Sequence, residues 1–201
     1  MKVGVMASGR GSNFQAILKE KQKGNLPDVE ITHLIVNKKE SQAIKIAEEY
    51  NIPYNIIESS GKTRTDFEKI ILDIFKEKNI EIIVLAGFMR ILTANFINIY
   101  KHKIINIHPS LLPAFPGPHA HREAIKFGAE KSGCTVHFVD EGVDSGPIIM
   151  QASVYLEEGE TENSLSAKIL VKEHQIFPKV LQLLCSSNIE ISGQNIKIRS
   201  D

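Results

Sequence analysis

Asn106 and His108 close an apolar run of the chain and are separated by a single isoleucine. Because successive side chains of an extended strand point to opposite faces, the sequence predicts that both lie on the same face. Pro109 follows directly and has no backbone N–H, so the strand should end at the histidine. Further along the chain, Asp144 supplies a carboxylate within a glycine-flanked loop, EGVDSGP. We therefore treat the three residues as one candidate group, although a single histidine at a strand end is often only a satisfied polar residue.

This group of an amide, an imidazole and a carboxylate suits attack on a carbonyl carbon, which creates a tetrahedral oxyanion. The Asn106 amide and a protonated His108 would donate hydrogen bonds to that oxyanion. A neighbouring Asp144 would favour the imidazolium by its opposite charge and would accept the proton that leaves the nucleophile. No covalent nucleophile is evident, since Ser110 lies in HPSLLP and not in a GxSxG turn. The residues thus predict direct acyl transfer from a donor to an acceptor.

The remaining histidines offer an alternative, which is a metal site formed by His108 with His119 and His121. Their spacing matches no strong zinc pattern, and the loop lacks a predicted helix that would fix the ligands. We therefore expect no metal. His137 alternates with apolar residues in a predicted strand, and we expect a structural or supporting role for it.

A glycine turn, GRGSNF from Gly9 to Phe14, follows the first apolar run of the chain. It fails as a dinucleotide motif because Phe14 replaces the third glycine and because the next strand ends at Asn37 without an acidic residue. Free backbone N–H groups at the start of a helix still favour one phosphate, here at Gly11, Ser12 and Asn13. The alternative is a tight turn in which Ser12 or Asn13 only caps the helix.

The elements that position these residues alternate strictly between strand and helix in the first half. We predict strands at 2–8, 30–36, 52–57, 81–87 and 103–107, with helices between them. The helix at 64–78 should bury Phe67, Ile70, Ile71, Ile74 and Phe75. This alternation predicts an α/β fold with a doubly wound, mostly parallel sheet, in which ligands bind beyond the carboxyl ends of the strands.

The second half changes character after the proline-rich loop. Predicted strands at 133–140 and 147–156 are joined by a loop too short for a crossover, so they should pair antiparallel. A short helix at 121–127 precedes them and a long helix at 161–184 follows, with a kink expected at Pro178. The tail after Asn188 should form a small strand or be loose.

The composition is that of an ordinary globular chain of 201 residues with zero net charge, which favours no nucleic-acid or membrane surface. We expect one domain over 1–201, with a nucleotide-phosphate half at 1–100 and a catalytic half at 101–201. The apolar stretch at the N-terminus is too short for the core of a signal peptide. Cys134 and Cys185 are expected to be reduced core thiols of a cytoplasmic protein, and a monomer or weak homodimer is expected.

Six motifs in order, SGRGSN, VLAGFMRIL, INIHPSLLPAFPG, HAHREAI, GCTVHFVDEGVDSGPII and KEHQIFP, resemble the formyltransferase-fold family over nearly the whole chain. They are most similar to its members that act on glycinamide ribonucleotide. The resemblance implies transfer of formyl from 10-formyltetrahydrofolate to the amino group of 5-phosphoribosylglycinamide, which gives N-formylglycinamide ribonucleotide in de novo purine biosynthesis. Pro118 departs from the family pattern, which has an aliphatic residue at that position.

The resemblance also implies roles for individual residues. The catalytic residues would be Asn106, His108 and Asp144, and no metal is implied. The nucleotide substrate would be held by Gly11, Ser12, Asn13 and Glu173. The folate would be held by Arg64, Met89, Arg90, Ile91, Leu92, Asn106, Asp140, Glu141, Gly142 and Val143. An apolar stretch with free backbone groups suits a flat pterin ring, and Arg64 suits a glutamate carboxylate.

Other enzymes with the same core are alternatives. Formyltetrahydrofolate deformylase normally carries an additional N-terminal domain, and methionyl-tRNA formyltransferase normally carries a basic C-terminal domain. We expect neither, because the first strand begins at Lys2 and the chain is short and neutral. Sugar-nucleotide formyltransferases would not be expected to keep this phosphate turn. A non-catalytic nucleotide-binding module would need no Asn106, His108 and Asp144 set.

Overall fold

The computed structural model describes residues 1–200, except for the side chains of Asn188, Arg199 and Ser200. The strands are β1 (Lys2–Ala7), β2 (Glu30–Val36), β3 (Tyr54–Ile56), β4 (Ile82–Leu85), β5 (Ile104–His108), β6 (Lys131–Phe138), β7 (Ile148–Tyr155), β8 (Ser187–Ser192) and β9 (Asn195–Ser200). The helices are α1 (Ser12–Gln22), α2 (Ala43–Glu49), α3 (Arg64–Glu77), α4 (Ala94–Ile99), α5 (Ala120–Phe127) and α6 (Glu162–Ser186).

The main sheet has seven strands in the order β3-β2-β1-β4-β5-β6-β7. Strand β1 pairs in parallel with β2 and β4, and β2 pairs in parallel with β3. Strands β6 and β7 pair antiparallel, from Lys131 opposite Tyr155 to His137 opposite Ile148. The predicted α/β fold, a mostly parallel sheet with an antiparallel addition, is therefore confirmed.

The chain divides into two compact units, Met1–Ile105 and Asn106–Asp201. In the first unit, β1 and β4 are almost wholly buried, as expected for strands covered by helices on both faces. Helix α3 packs very closely on β1. A Cβ atom added at Gly4 would lie 2.9 Å from the Phe75 ring, so the helix depends on the absence of a side chain there.

Helix α3 is rotated relative to the predicted inner face. Phe67, Ile71 and Phe75 are buried as expected, but Ile70 is 38% exposed and Glu68 is only 3% exposed. The physical reason is a polar contact: both carboxylate oxygens of Glu68 accept hydrogen bonds from Thr93, one from its backbone N–H at 2.8 Å and one from its hydroxyl. These hydrogen bonds offset part of the cost of removing the Glu68 carboxylate from water.

In the second unit, α6 begins with a reciprocal capping box between Thr161 and Ser164. The helix continues beyond Pro178, the residue at which the sequence predicts a kink. Neither Cys134 nor Cys185 forms a disulfide, but Cys134 is buried whereas Cys185 is partly exposed, so the prediction of two core thiols is half wrong. Burial raises the pKa of the Cys134 thiol to about 12, which makes it unreactive.

The tail after α6 forms an antiparallel hairpin of β8 and β9, a separate two-stranded sheet. Ile189 lies opposite Ile198 and Ile191 lies opposite Ile196, so the isoleucines share one face of the hairpin. Of the two alternatives for this tail, strand formation is confirmed. Within residues 1–200, no helix combines the length and the apolar character needed to cross a bilayer.

Candidate active site

The three predicted catalytic residues lie together in the second unit. His108 Nδ1 is 3.2 Å from Asp144 Oδ2, and the two side chains are only 6% and 13% exposed. The Asn106 amide nitrogen lies 3.5 Å from the other oxygen of Asp144. The last residues of β5 and the loop after β6 therefore bring the amide, imidazole and carboxylate into contact, as the sequence predicts.

The loop after β5 adds two backbone groups to this cluster. The Phe115 carbonyl oxygen lies 2.9 Å from His108 Nε2, and the Gly117 N–H donates to Asp144 Oδ2 over 2.8 Å. Each nitrogen of the His108 ring therefore faces an oxygen that can only accept. Since only the imidazolium form carries both protons, protonation of His108 would satisfy both contacts at once.

His137 also belongs to the cluster, which sequence reasoning left as a supporting residue. Its Nδ1 lies 2.8 Å from the Phe138 carbonyl, so this nitrogen carries the proton in the neutral ring. Its Nε2 can then accept from the Asn106 amide at 3.3 Å, and it lies 3.7 Å from Asp144 Oδ1. A signal was present in the sequence, because His137 stands between the apolar residues Val136 and Phe138 near the end of β6.

Burial and charge act in opposite directions on the two ionisable partners. Burial alone would raise the pKa of Asp144. The contact with His137 and the hydrogen bond from the Gly117 N–H lower this pKa, as does the positive charge that His108 and His137 carry when protonated, and the net pKa lies below its ordinary value. Burial also lowers the pKa of His108, and this outweighs the Phe115 carbonyl and the Asp144 charge, which raise it. Asp144 therefore favours the imidazolium, as expected from its opposite charge, but burial has the larger effect and the net pKa of His108 is lowered.

The glycine turn lies in the first unit, and its geometry differs from the predicted cap. Gly11 is the N-cap residue with a left-handed φ of 71°, and neither Ser12 nor Asn13 caps α1, because the helix already begins at Ser12. Gly11 O accepts from the Gln15 N–H at 2.8 Å. A Cβ atom at Gly11 would lie 2.8 Å from Ala43 Cβ, so this position requires glycine for both conformation and space.

The turn leaves backbone donors for an anion. The first N–H groups of an α-helix have no partner within the helix, and they carry the positive end of its dipole. Ser12 is partly exposed, whereas the Asn13 side chain is buried. A phosphate at this turn would therefore be held mainly by the backbone.

The predicted folate residues of the first unit fall into two groups. Met89 and Ile91 are 73% and 59% exposed, whereas Leu92 is buried. The Arg90 guanidinium lies 4.9 Å from the centre of the Phe67 ring. A hydrogen bond from the Met89 N–H to the Ser8 hydroxyl, 2.8 Å long, joins the segments that follow β4 and β1. Arg64 is exposed as the first residue of α3, where the helix dipole disfavours a cation.

The predicted residues of the second unit lie in a loop and in α6. Asp140 Oδ1 closes the loop by accepting from the Gly142 N–H at 3.1 Å and the Ser145 hydroxyl at 2.7 Å. Glu141 and Val143 are exposed in this loop, and Glu173 is buried in α6. Within the described part of the chain, no three side chains of His, Cys, Asp or Glu come together as a metal-binding group.

Comparison with known proteins places this site in context. The chain is 41% identical over 198 residues to the trifunctional purine biosynthetic protein adenosine-3 of Homo sapiens, covering 98% of this chain and 19% of that protein. This chain thus spans about a fifth of the length of that relative. It is 39% identical over 188 residues to the phosphoribosylglycinamide formyltransferase of Bacillus subtilis (strain 168), covering 93% of this chain and 96% of that protein.

Among solved structures, the chain is similar to glycinamide ribonucleotide transformylase 1 from Symbiobacterium toebii, with a TM-score of 0.95 and 35% identity. That match covers 98% of this chain and 93% of the other chain. A family model described as formyl transferase matches residues 1–181, which include the glycine turn and the Asn106, His108 and Asp144 cluster. With the strand order, the buried cluster and these matches in agreement, the chain belongs to the formyl transferase family.

Proposed function

We propose that this protein transfers the formyl group of 10-formyltetrahydrofolate to the amino group of 5-phosphoribosylglycinamide, giving N-formylglycinamide ribonucleotide in de novo purine biosynthesis. The observation that carries the proposal is the contact between His108 and Asp144, 3.2 Å apart and nearly buried, in a chain of the formyl transferase family. The family supplies the reaction type, and relatives named for this nucleotide supply the acceptor.

The reaction requires that one bond forms, that one bond breaks and that a proton is transferred twice. The substrate amine forms a C–N bond to the formyl carbon, and the bond from that carbon to the folate nitrogen breaks after a tetrahedral intermediate. Asp144, whose pKa lies below its ordinary value, is a carboxylate at neutral pH and accepts the proton that the amine loses. Asp144 then gives this proton, directly or through solvent, to the folate nitrogen as it leaves, which restores the carboxylate.

The oxyanion would be held by Asn106 and His108. In the resting structure, the Phe115 carbonyl already stands 2.9 Å from His108 Nε2, which is the distance expected for an oxyanion acceptor. We infer that the formyl oxygen takes the place of this carbonyl. The Phe115 carbonyl must then turn away from His108 Nε2 towards solvent in the reacting complex, while the base of the loop and the contact of Gly117 with Asp144 stay in place.

We assign substrate-binding roles within each unit. Gly11, Ser12 and Asn13 would hold the nucleotide phosphate through the start of α1, and the Glu173 carboxylate would contact the nucleotide. Exposed apolar side chains at Met89, Ile91 and Val143 suit a flat pterin ring. With them we assign Arg64, Arg90, Leu92, Asp140, Glu141 and Gly142 to the folate. No metal enters this scheme, and a cytoplasmic monomer or weak dimer stays a prediction.

Formyl transfer monitored by absorbance tests the proposal directly. The wild-type protein is supplied with 10-formyltetrahydrofolate and either 5-phosphoribosylglycinamide or water alone as acceptor. We expect tetrahydrofolate release that depends on the nucleotide and produces an equal amount of formylated nucleotide. Release at the same rate with water alone would instead identify a deformylase, and no release with either acceptor would refute the proposed reaction.

A further inference from the structure

The loop that follows His108 is fastened at its base to the antiparallel pair of strands β6 and β7. The Thr135 hydroxyl on β6 donates to the Ser110 carbonyl over 2.7 Å and accepts from the Leu112 N–H at 3.1 Å. The amide nitrogen of Gln151 on β7 lies 2.9 Å from this same hydroxyl oxygen and 2.9 Å from the Leu112 carbonyl. Two strands therefore hold the first residues of the loop.

The chemistry of these contacts fixes how the Gln151 side chain is oriented. The Leu112 carbonyl can only accept, and the single proton of the Thr135 hydroxyl is directed at Ser110, so both atoms need a donor from Gln151. The amide group, with two N–H bonds, satisfies both. Every polar group of this network therefore has a partner. Leu112 donates to Thr135 and accepts from Gln151, and the Thr135 hydroxyl donates to Ser110 and accepts from both Leu112 and Gln151.

The base of the loop leads directly to the groups that contact the catalytic cluster. The Ser110 hydroxyl donates to the Ala114 carbonyl over 2.6 Å, which turns the chain. The next residue, Phe115, faces His108, and Gly117 donates to Asp144 over 2.8 Å. The position of these two backbone groups therefore depends on where the base of the loop is held.

We propose that Gln151 is a positioning residue for formyl transfer, which acts through Thr135 and Leu112 to hold the loop in place over His108 and Asp144. This inference rests on the proposed function, since it assigns Gln151 to that same site. The Gln151 side chain, on strand β7 outside the loop, forms its hydrogen bonds with Leu112 and Thr135, neither of which is assigned a catalytic role. Misplacement of catalytic groups by about 1 Å can cost about 10²-fold in rate.

The main variant is Gln151→Met, which keeps the length of the side chain and removes both donors. We expect kcat to fall by about tenfold or more, while the dissociation constant for the nucleotide changes by less than about twofold. Hydrogen exchange of the Gly117 N–H, measured by NMR on the free enzyme, should become at least about tenfold faster, because its contact with Asp144 is less populated. Ser153→Ala, two residues along the same strand, should match the wild type in all three measurements.

Thr135 supplies an independent pair of variants. Thr135→Ser keeps the hydroxyl and should keep kcat and Gly117 exchange near wild-type values, whereas Thr135→Val should resemble Gln151→Met. Wild-type Gly117 exchange in Gln151→Met overturns the inference whatever the activity. A fall in kcat with unchanged Gly117 exchange also overturns it, because Gln151 would then act by another route. If the wild type forms no formylated nucleotide, the proposed function fails, yet the exchange experiment still decides whether Gln151 holds the loop.

Discussion

Asp144 Oδ2 accepts a hydrogen bond from the Gly117 N–H and lies 3.2 Å from His108 Nδ1. A single carboxylate oxygen therefore links the imidazole to the loop that contains Gly117. Asp144 holds this position with a left-handed φ of 52°, a conformation that aspartate and asparagine adopt more readily than most residues. The left-handed backbone at Asp144 therefore places its carboxylate against both His108 and Gly117.

The first prediction concerns the charge of Asp144. Asp144→Asn keeps the shape and tolerates the left-handed backbone, but it removes the group that accepts the amine proton. We expect kcat to fall by about 10²–10³-fold with little change in thermal stability. Asp73→Asn, an exposed carboxylate on α3, is the matched control and should retain full activity. Near-normal turnover of Asp144→Asn would remove Asp144 from the catalytic set.

The second prediction concerns the two donors to the oxyanion. Asn106→Ala and His108→Ala should each lower kcat by about 10²–10³-fold, which is the usual loss for one oxyanion donor. Steady-state kinetics with both substrates varied measures the effect. Because each donor acts in the transition state, KM for either substrate should change far less than kcat. A variant that loses only substrate affinity would contradict its assignment as an oxyanion donor.

The third prediction compares two glycines of the phosphate turn. Gly11→Ala places a Cβ atom 2.8 Å from Ala43 Cβ at a left-handed φ, so the turn must shift and the first N–H groups of α1 move with it. We expect KM for the nucleotide to rise by about tenfold or more, as for lost hydrogen bonds to a charged group, with little change in KM for the folate. Gly9→Ala is the control, since nothing lies within 4 Å of a Cβ atom there. Calorimetry that finds equal nucleotide binding by both variants would exclude a phosphate role for the turn.

Much of this architecture could be predicted from the sequence, because alternating apolar runs and helical periodicity report directly on the elements of a parallel sheet. The same-face placement of Asn106 and His108 followed from strand periodicity alone. What could not be predicted depends on contacts between distant residues. Glu68 is buried because Thr93 pairs with it, and His137 joins the site through Asn106 and Asp144. The local pattern of residues points to His137 as a polar residue in a strand, but it identifies the partners of neither Glu68 nor His137.

For a related reason, the sequence could not predict whether the pKa of His108 is raised or lowered overall. The opposite charge of Asp144 was foreseen, but the extent of burial was not, and burial dominates the pKa of His108. Likewise, the role of Gln151 depends on which carbonyl the folded loop presents to β7. That the two halves form one domain stays a prediction from the length of the chain.

The fourth prediction tests the buried carboxylate of the first unit. Glu68→Ala removes both acceptors for Thr93, whose hydroxyl also caps α4 by accepting from the Phe96 N–H at 3.3 Å. We expect the free energy of unfolding to fall by about 2–3 kcal/mol, the usual value for buried hydrogen bonds to a charged group. Lys69→Ala, the exposed neighbour on α3, should change it by less than about 0.5 kcal/mol. Urea unfolding of both variants makes the comparison, and equal stabilities would show that the Glu68 contacts contribute nothing net.

The fifth prediction concerns the dependence of stability on pH. His33 is buried on β2, and its Nε2 lies 2.8 Å from Asn55 Oδ1. Burial lowers its pKa below 6.5 in the folded protein, despite the Asn55 contact, which raises it. As the pH falls through about 6.5, His33 is therefore protonated in the unfolded chain before it is protonated in the folded protein. The free energy of unfolding falls with pH in this range, and the fall ends once the pH is below the folded pKa of His33. His108 acts with the same sign, because burial lowers its pKa as well.

His33→Gln keeps a donor for Asn55 but cannot titrate, so the loss of stability between pH 7.5 and 5.5 should be smaller than in the wild type. The difference in slope cannot exceed about 1.4 kcal/mol per pH unit, the limit for one proton. Urea unfolding at several pH values measures it, with His102→Asn as a control at an exposed histidine whose backbone is left-handed and suits asparagine. If His33→Gln and the wild type lose stability in parallel on acidification, His33 already binds its proton equally well in both states, and the burial argument for this residue is wrong.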